Sequence, residues 1–352
     1  MCSSSEDHDL LPQEFHTREI LYVGNIFSEH GRGVTVIETL GACLEERYTV
    51  HYASGKRSKV ARLMHMLVSV FLLRKRVTVV LIDTYSTLSF VYAFSVSQMC
   101  RLLGIPYIPI LHGGNLPSRL MRSPHISQSI FLYSRINVAP SKYLQREFSK
   151  MGYRVKRIPN TISLADCAFK QRGQYQPRLL YVRAFSAIYN SGMAIQVLSH
   201  LVKRYPNAGL CMVGPDRDGT LGWCKKLTEE LGLIERVKFM GQLSKPEWHR
   251  LSESYDIFIN TSNFDNMPVS VIEAMALGLP VVSTNPGGMA DLIDNKTDGL
   301  LVRCGDAKGM AERIVQLLEK PHEARRLTEN ARKKVEYFDW QHLKKYWFEL
   351  LG

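Results

Sequence analysis

No Cys-x-x-Cys pair occurs in the 352 residues, and the seven cysteines (Cys2, Cys43, Cys100, Cys167, Cys211, Cys224 and Cys304) are scattered and odd in number. That pattern argues against a disulfide framework and a cysteine-built zinc site, and it fits a reducing cytoplasm. Acidic residues are few: 33 Asp and Glu stand against 45 Lys and Arg, a formal net charge of +12. Such a chain attracts nucleic acid, anionic lipid headgroups or phosphorylated small molecules. Zinc-finger spacing, an RNP-like strand and an arginine-rich arm are all missing, so no nucleic-acid partner is expected. Residues 1–17 lack an apolar h-region and read as a disordered polar tail rather than a signal peptide. The apolar part of 55–76 is shorter than the ~20 residues needed to span a bilayer.

What is present is the composition of an ordinary globular protein, 45% hydrophobic and 22% charged, in a chain long enough for two cores. Short β-rich apolar runs alternate with helical periodicity from Glu19 onward, the pattern of an α/β protein with doubly wound parallel sheets. Glu19–Asn25 reads as a strand that breaks into a loop carrying Gly31 and Gly33, followed by a helix from Val34. Further strands are expected at 77–82, 106–111, 136–139 and 155–159, and after the polar run 170–177 at 178–183, 208–213 and 236–241. A helix is expected over 248–255.

The most informative stretch runs from Ile257 to Thr284. It reads as a strand (257–260), a polar turn, a helix with Pro268 at its first position, a stop at Gly278 and a second buried strand (280–283). A helix entered in this way points unpaired N–H groups forward past Asn266 and Met267, where an anion is favoured. Asp265 and Glu273 flank that seat, with Glu273 ~7–8 Å beyond Pro268 along the axis. As acceptors, they suit the hydroxyls of sugars on either side of a phosphate, which suggests a nucleotide sugar. The plainer alternative is that Asp265 caps the helix and Glu273 is solvated.

Asp265-Asn266-Met267-Pro268-Val269, then Val-Ile-Glu273-Ala-Met-Ala-Leu-Gly-Leu-Pro-Val-Val, resembles the signature of the group 1 (family four) retaining glycosyltransferases. The resemblance extends over about residues 19–350 and implies the GT-B fold, two Rossmann-like domains facing a central cleft. On it, 18–165 is expected to be the acceptor-side domain, 176–337 the nucleotide-sugar domain, and 338–352 a helix returning to the first. It implies catalytic roles for His112, Arg183 and Asp265. It implies donor contacts from Gly31, Gly33, Phe239, Gly241, Asn266, Met267, Pro268, Val269 and Glu273. Two departures stand out: the first acid is usually Glu rather than Asp265, and Ile188, Tyr189 and Asn190 occupy the place of a lysine that usually grips the diphosphate.

The expected activity is retaining transfer of a sugar from a nucleotide-sugar donor to a glycan or lipid-linked acceptor in cell-surface polysaccharide synthesis. Front-face attack is implied, the leaving phosphate taking the acceptor proton, with no cofactor and no metal. Asp216 and Asp218, an Asp-x-Asp pair, sit among Gly and Pro and read as a turn. A catalytically impaired nucleotide-sugar-binding paralogue and a GT-B epimerase remain as alternatives. Arg119 and Arg122 suit a phosphate-bearing acceptor or serve no ligand. The 55–76 helix, cationic at both ends, has two readings: resting on an anionic inner-membrane surface, or covering the first sheet.

Overall fold

The computed structural model describes residues 18–26, 35–53, 55–56, 58–87 and 89–352. The 1–17 tail, Gly31, Gly33 and Arg57 therefore lie outside the described residues. The first half runs β1 (Glu19–Val23), α1 (Val36–Leu44), β2 (Thr49–Ala53), α2 (Lys59–Leu73), β3 (Val77–Thr84), α3 (Ser89–Leu102), β4 (Tyr107–Leu111), α4 (Leu116–Arg122), α5 (Pro124–Phe131), β5 (Asn137–Ala139), α6 (Lys142–Lys150) and β6 (Val155–Arg157). The second runs β7 (Arg178–Val182), α7 (Ser191–Leu201), β8 (Gly209–Val213), α8 (Thr220–Glu230), β9 (Val237–Gly241), α9 (Lys245–Ser252), β10 (Ile257–Asn260), α10 (Val269–Ala276), β11 (Val281–Thr284), α11 (Met289–Leu292), β12 (Leu300–Val302), α12 (Ala307–Glu319), α13 (Pro321–Val335) and α14 (Trp340–Leu351).

Two parallel six-stranded sheets result, ordered β2-β1-β3-β4-β5-β6 and β12-β11-β10-β7-β8-β9. Both faces of each are covered, which is why strands such as Ile20–Val23 and Val79–Ile82 are apolar without alternation. Each order reverses once, between β1 and β3 in the first sheet and between β7 and β10 in the second. Connecting loops part there in opposite directions and leave a crevice beyond the carboxyl ends of the strands. The last helix, α14, places Trp340, Trp347, Leu350 and Leu351 in one apolar cluster with Ile20, Tyr22, Ile37 and Leu40, so the chain's end packs on the first sheet.

Two of the boundaries that differ from the sequence reading do so through local capping. The helix expected over 248–255 is α9, three residues earlier, because Ser244 and Glu247 form a capping box at its start. Pro268 is the extended N-cap of α10 (φ −68°, ψ 124°), not its first helical residue.

The 55–76 segment divides its apolar residues between two faces. Met66 and Val70 are buried in the first-sheet core and Leu67 packs against it, whereas Val60, Met64, Val68, Phe71 and Leu72 are exposed. Arg62 is buried on α2 and donates to Asn25 Oδ1 at 2.9 Å, and Arg76 is paired with Glu19 at 3.1 Å.

Candidate active site

Arg183 leaves the end of β7 and Asp265 follows β10, the neighbouring strands between which the second sheet reverses. Arg183 Nη2 reaches both carboxylate oxygens of Asp265, at 2.6 and 2.5 Å. Burial works against the Arg183 charge, but the adjoining Asp265 carboxylate outweighs it and holds the guanidinium pKa above its ordinary value. The guanidinium also lies over the Tyr189 ring, 4.4 Å from its centroid, and its Nε is buried without a partner. Asp265 thus turns to Arg183 rather than capping α10, whose cap is Pro268.

Around that pair the backbone is drawn tight by glycines. A Cβ on Gly114 would stand 2.5 Å from the Asp265 carbonyl oxygen, and Cβ atoms on Gly287 and Gly288 would strike the carbonyls of Asp265 and Asn266. The His112-Gly113-Gly114 loop of the first sheet therefore meets the Asp265 turn of the second. Nearby, Ser141 hydroxyl donates to Asn266 Oδ1 and the Tyr143 amide to Asp291 Oδ2 at 2.6 Å, joining the two halves again. Asn266 Nδ2 is buried without a partner.

His112 follows β4 with its side chain almost wholly buried. Its Nε2 lies 2.6 Å from Asp83 Oδ1, which also accepts from the Tyr22 hydroxyl at 3.0 Å. A carboxylate can only accept, so Nε2 carries hydrogen and the unpartnered Nδ1 is the nitrogen left for a ligand. Burial, reinforced by Asp83, pushes the Tyr22 phenol well up and keeps it a donor. Tyr85 stacks near the His112 ring, centroids 5.1 Å apart. Asp83 and Tyr22 were missed in the sequence, although a carboxylate ending the apolar run Val77–Ile82 at the ligand side of a strand is a signal.

Along α10, Val271 and Ile272 amides bond to the Pro268 carbonyl, leaving the helix entrance at Val269 and Ser270. Met267 is core, its carbonyl accepting from Asn160 Nδ2 at 2.7 Å, and Val269 packs on the same cluster. Glu273 is buried rather than solvated: Lys245 Nζ lies 3.0 Å from Oε1 and His249 Nε2 3.8 Å from Oε2. Phe239 is partly buried with its ring 6.0 Å from that of Phe185, while Gly241 has open space at its Cβ position and accepts from the Gly214 amide.

The Asp216-Asp218 turn is engaged internally. Asp218 accepts from Ser186, the Ala187 amide and Thr220, and Asp216 from the Gly219 amide. Burial is the largest single influence on Asp218 and opposes its ionisation, yet the hydrogen bonds together outweigh it and lower its pKa. No group of three or more His, Cys, Asp or Glu that could hold a metal occurs among the described residues.

Residues 168–334 match the family model for glycosyl transferases group 1. That match takes in a little under half of the chain, and over it the chain is similar to the group 1 glycosyltransferases. The chain is 32% identical over 127 residues to sucrose-phosphate synthase of Spinacia oleracea, covering 33% of this chain but only 12% of the relative. It is 28% identical over 193 residues to glycogen synthase of Mycobacterium tuberculosis, covering 52% of this chain and 45% of that one. In three dimensions it matches sucrose-phosphate synthase of Thermosynechococcus elongatus with TM-score 0.82 at 17% identity, over 95% of this chain and 98% of that one. Anabaena HepE, solved in complex with UDP-glucose, gives TM-score 0.74 at 18% identity over 95% and 99% of the two chains. The chain has the GT-B fold.

Proposed function

We propose that this chain transfers a sugar, with retention at the anomeric carbon, from a nucleotide-sugar donor to a glycan or lipid-linked acceptor of cell-surface polysaccharide synthesis. The observation that carries the reading is the Arg183–Asp265 pair at the second sheet's reversal point, abutted by the His112 loop of the first. The donor diphosphate lies at the entrance of α10, with Arg183 pivoting from Asp265 toward it. Asp265 and His112 Nδ1 face the sugar hydroxyls, and Glu273 faces the ribose. Backbone of Phe239–Gly241 borders the base, and Asn266 through Val269 line the phosphate seat.

In the reaction, the bond between the anomeric carbon and the diphosphate oxygen breaks while the acceptor oxygen bonds to that carbon on the same face. The departing phosphate takes the acceptor proton. Negative charge grows on the diphosphate as the bond breaks, so fixed positive groups stabilise the transition state more than the ground state. Arg183 and the α10 amides supply this without a metal. Gly31 and Gly33 complete the donor side in this reading.

The exposed Val60, Met64, Val68, Phe71 and Leu72 face of α2, with Lys59 and Lys75 near its ends, supports peripheral contact with an anionic membrane that presents the acceptor. Purified protein incubated with UDP-, GDP- and ADP-sugars and lipid extract is expected to release nucleoside diphosphate and give product of unchanged anomeric configuration. Arg183→Ala should slow release by roughly 100-fold or more. Nucleotide binding without turnover would favour a binding paralogue, the reading to which the absent lysine points.

A further inference from the structure

A recess of about 420 Å³, within the ~300–1,000 Å³ of small-ligand sites, opens beside the segment that joins β7 to α7, and the transfer reading does not use it. Ala187, Asn190 and Ser191 line it from that segment and the start of α7, and Asp218, Thr220 and Trp223 from the start of α8. Trp223 is 51% exposed, whereas the other three tryptophans, Trp248, Trp340 and Trp347, are buried. Its exposed ring is nonetheless anchored. Cζ3 and Cη2 rest on Gly192, where a Cβ would stand 2.1 and 2.2 Å from them, so any side chain at 192 pushes the indole off its seat.

The walls narrow the ligand. An aromatic face has a negative π-cloud that attracts C–H groups, and amide and hydroxyl groups beside it pair with hydroxyls. Asp218 is ionised and its oxygens are taken up by Ser186, the Ala187 amide and Thr220, so it places an uncancelled negative field where a phosphate would have to sit. A molecule with an apolar C–H face, a hydroxylated edge and no charge is a pyranose. We infer that the recess is a subsite for one hexose of a neutral glycan chain, its ring lying on Trp223 and its hydroxyls meeting Asn190 and Thr220.

From there a chain has apolar steps toward the reacting pair. Ile188 and Phe264 are each about half exposed, and the Ile188 carbonyl accepts from the Asn263 and Phe264 amides at 2.9 and 3.3 Å. That sets Phe264, the residue before Asp265, against the segment that lines the recess. Tyr189 of the same segment lies on Arg183. The inference deepens the transfer reading by making the acceptor a glycan chain held at a sugar remote from the reacting one. It rests on that reading for the use of the grip, not for the binding itself.

Acrylamide quenching of tryptophan fluorescence in the full chain, titrated with maltohexaose, cellohexaose and laminarihexaose, tests it, because Trp223 is the tryptophan the quencher reaches. At least one hexasaccharide should shield Trp223 from the quencher. In calorimetry, Trp223→Ala should weaken binding of that hexasaccharide about tenfold or more. Gly192→Ala, which keeps the indole but displaces it, should do the same, while both variants unfold at temperatures that leave them native in the assay. Shielding by none of the three hexasaccharides overturns the subsite, a result that needs no variant to fold, and so does equal affinity in wild type and Trp223→Ala. Hexasaccharide binding lost in Trp223→Ala, in a chain that binds no UDP-, GDP- or ADP-sugar, upholds the subsite and overturns the donor reading instead.

Discussion

At the scale of single residues, the candidate site is a set of buried side chains held by neighbours of complementary charge or hydrogen-bonding sense. Glu273→Ala removes a charge-assisted acceptor and should weaken nucleotide binding by ~1.5–3 kcal/mol, tenfold or more. Calorimetry on a variant shown to be folded checks this, and unchanged affinity would sink the role given to Glu273. Asp83→Asn keeps the shape of the pocket but loses the carboxylate that fixes His112 and Tyr22. Turnover should fall at least about tenfold, ~1.4 kcal/mol in the barrier, with nucleotide affinity unaltered. A loss confined to nucleotide affinity would place His112 away from the sugar. Asp216→Asn and Asp218→Asn remove only turn contacts, so activity should survive excess chelator in wild type and variants alike. Restoration of chelator-inhibited turnover by magnesium or manganese would contradict that.

At the scale of elements, close approach of loops decides what glycine is for. Gly114→Ala drives a methyl into the Asp265 carbonyl, so the His112 loop must retreat from the Asp265 turn. A cost of ~1–3 kcal/mol is expected, together with loss of turnover, read by thermal unfolding and kinetics. Gly222, within α8 and with open space at its Cβ position, is the contrast: Gly222→Ala should stabilise by up to ~1 kcal/mol with activity retained. For α2, replacing exposed Val60, Met64, Phe71 and Leu72 by Ser should reduce co-sedimentation with anionic vesicles at low salt. Met66 and Val70 face inward, so the fold is spared. Equal sedimentation of variant and parent would remove the lipid surface from the proposal while leaving the transferase reading intact.

For the whole molecule, the chain's return is what binds its ends to its beginning. Trp347 is buried in the first-sheet cluster, and Trp340 Nε1 donates to Glu46 at 2.8 Å. Trp347→Ala should destabilise by ~3–5 kcal/mol, a shift visible in thermal unfolding. The Ser141–Asn266 and Tyr143–Asp291 bonds, together with the Gly114 approach, carry the cleft between the sheets. Ser141→Ala and Asp291→Ala should lower turnover more than stability, because they loosen the meeting of the halves and leave both cores untouched.

The sequence by itself determined the local units: apolar runs without alternation gave buried parallel strands, and Asp265 to Val282 carried the turn, helix, glycine stop and strand in one uninterrupted segment. Asp265 and Glu273 could be placed, in a turn after a strand and on the following helix, because local signals mark those boundaries, and Arg183 at a strand end because the family resemblance marks it. Only the tertiary structure decided their partners. Asp83 meets His112 and Tyr22 from another strand, and Lys245 and His249 meet Glu273 from another helix. No local period records such meetings, because side chains between 24 (273 − 249) and 61 (83 − 22) residues apart are brought together by the tertiary fold. The same holds for α2, where periodicity marked an apolar helix but packing against the first sheet alone decided that Met66 lies inside and Met64 outside.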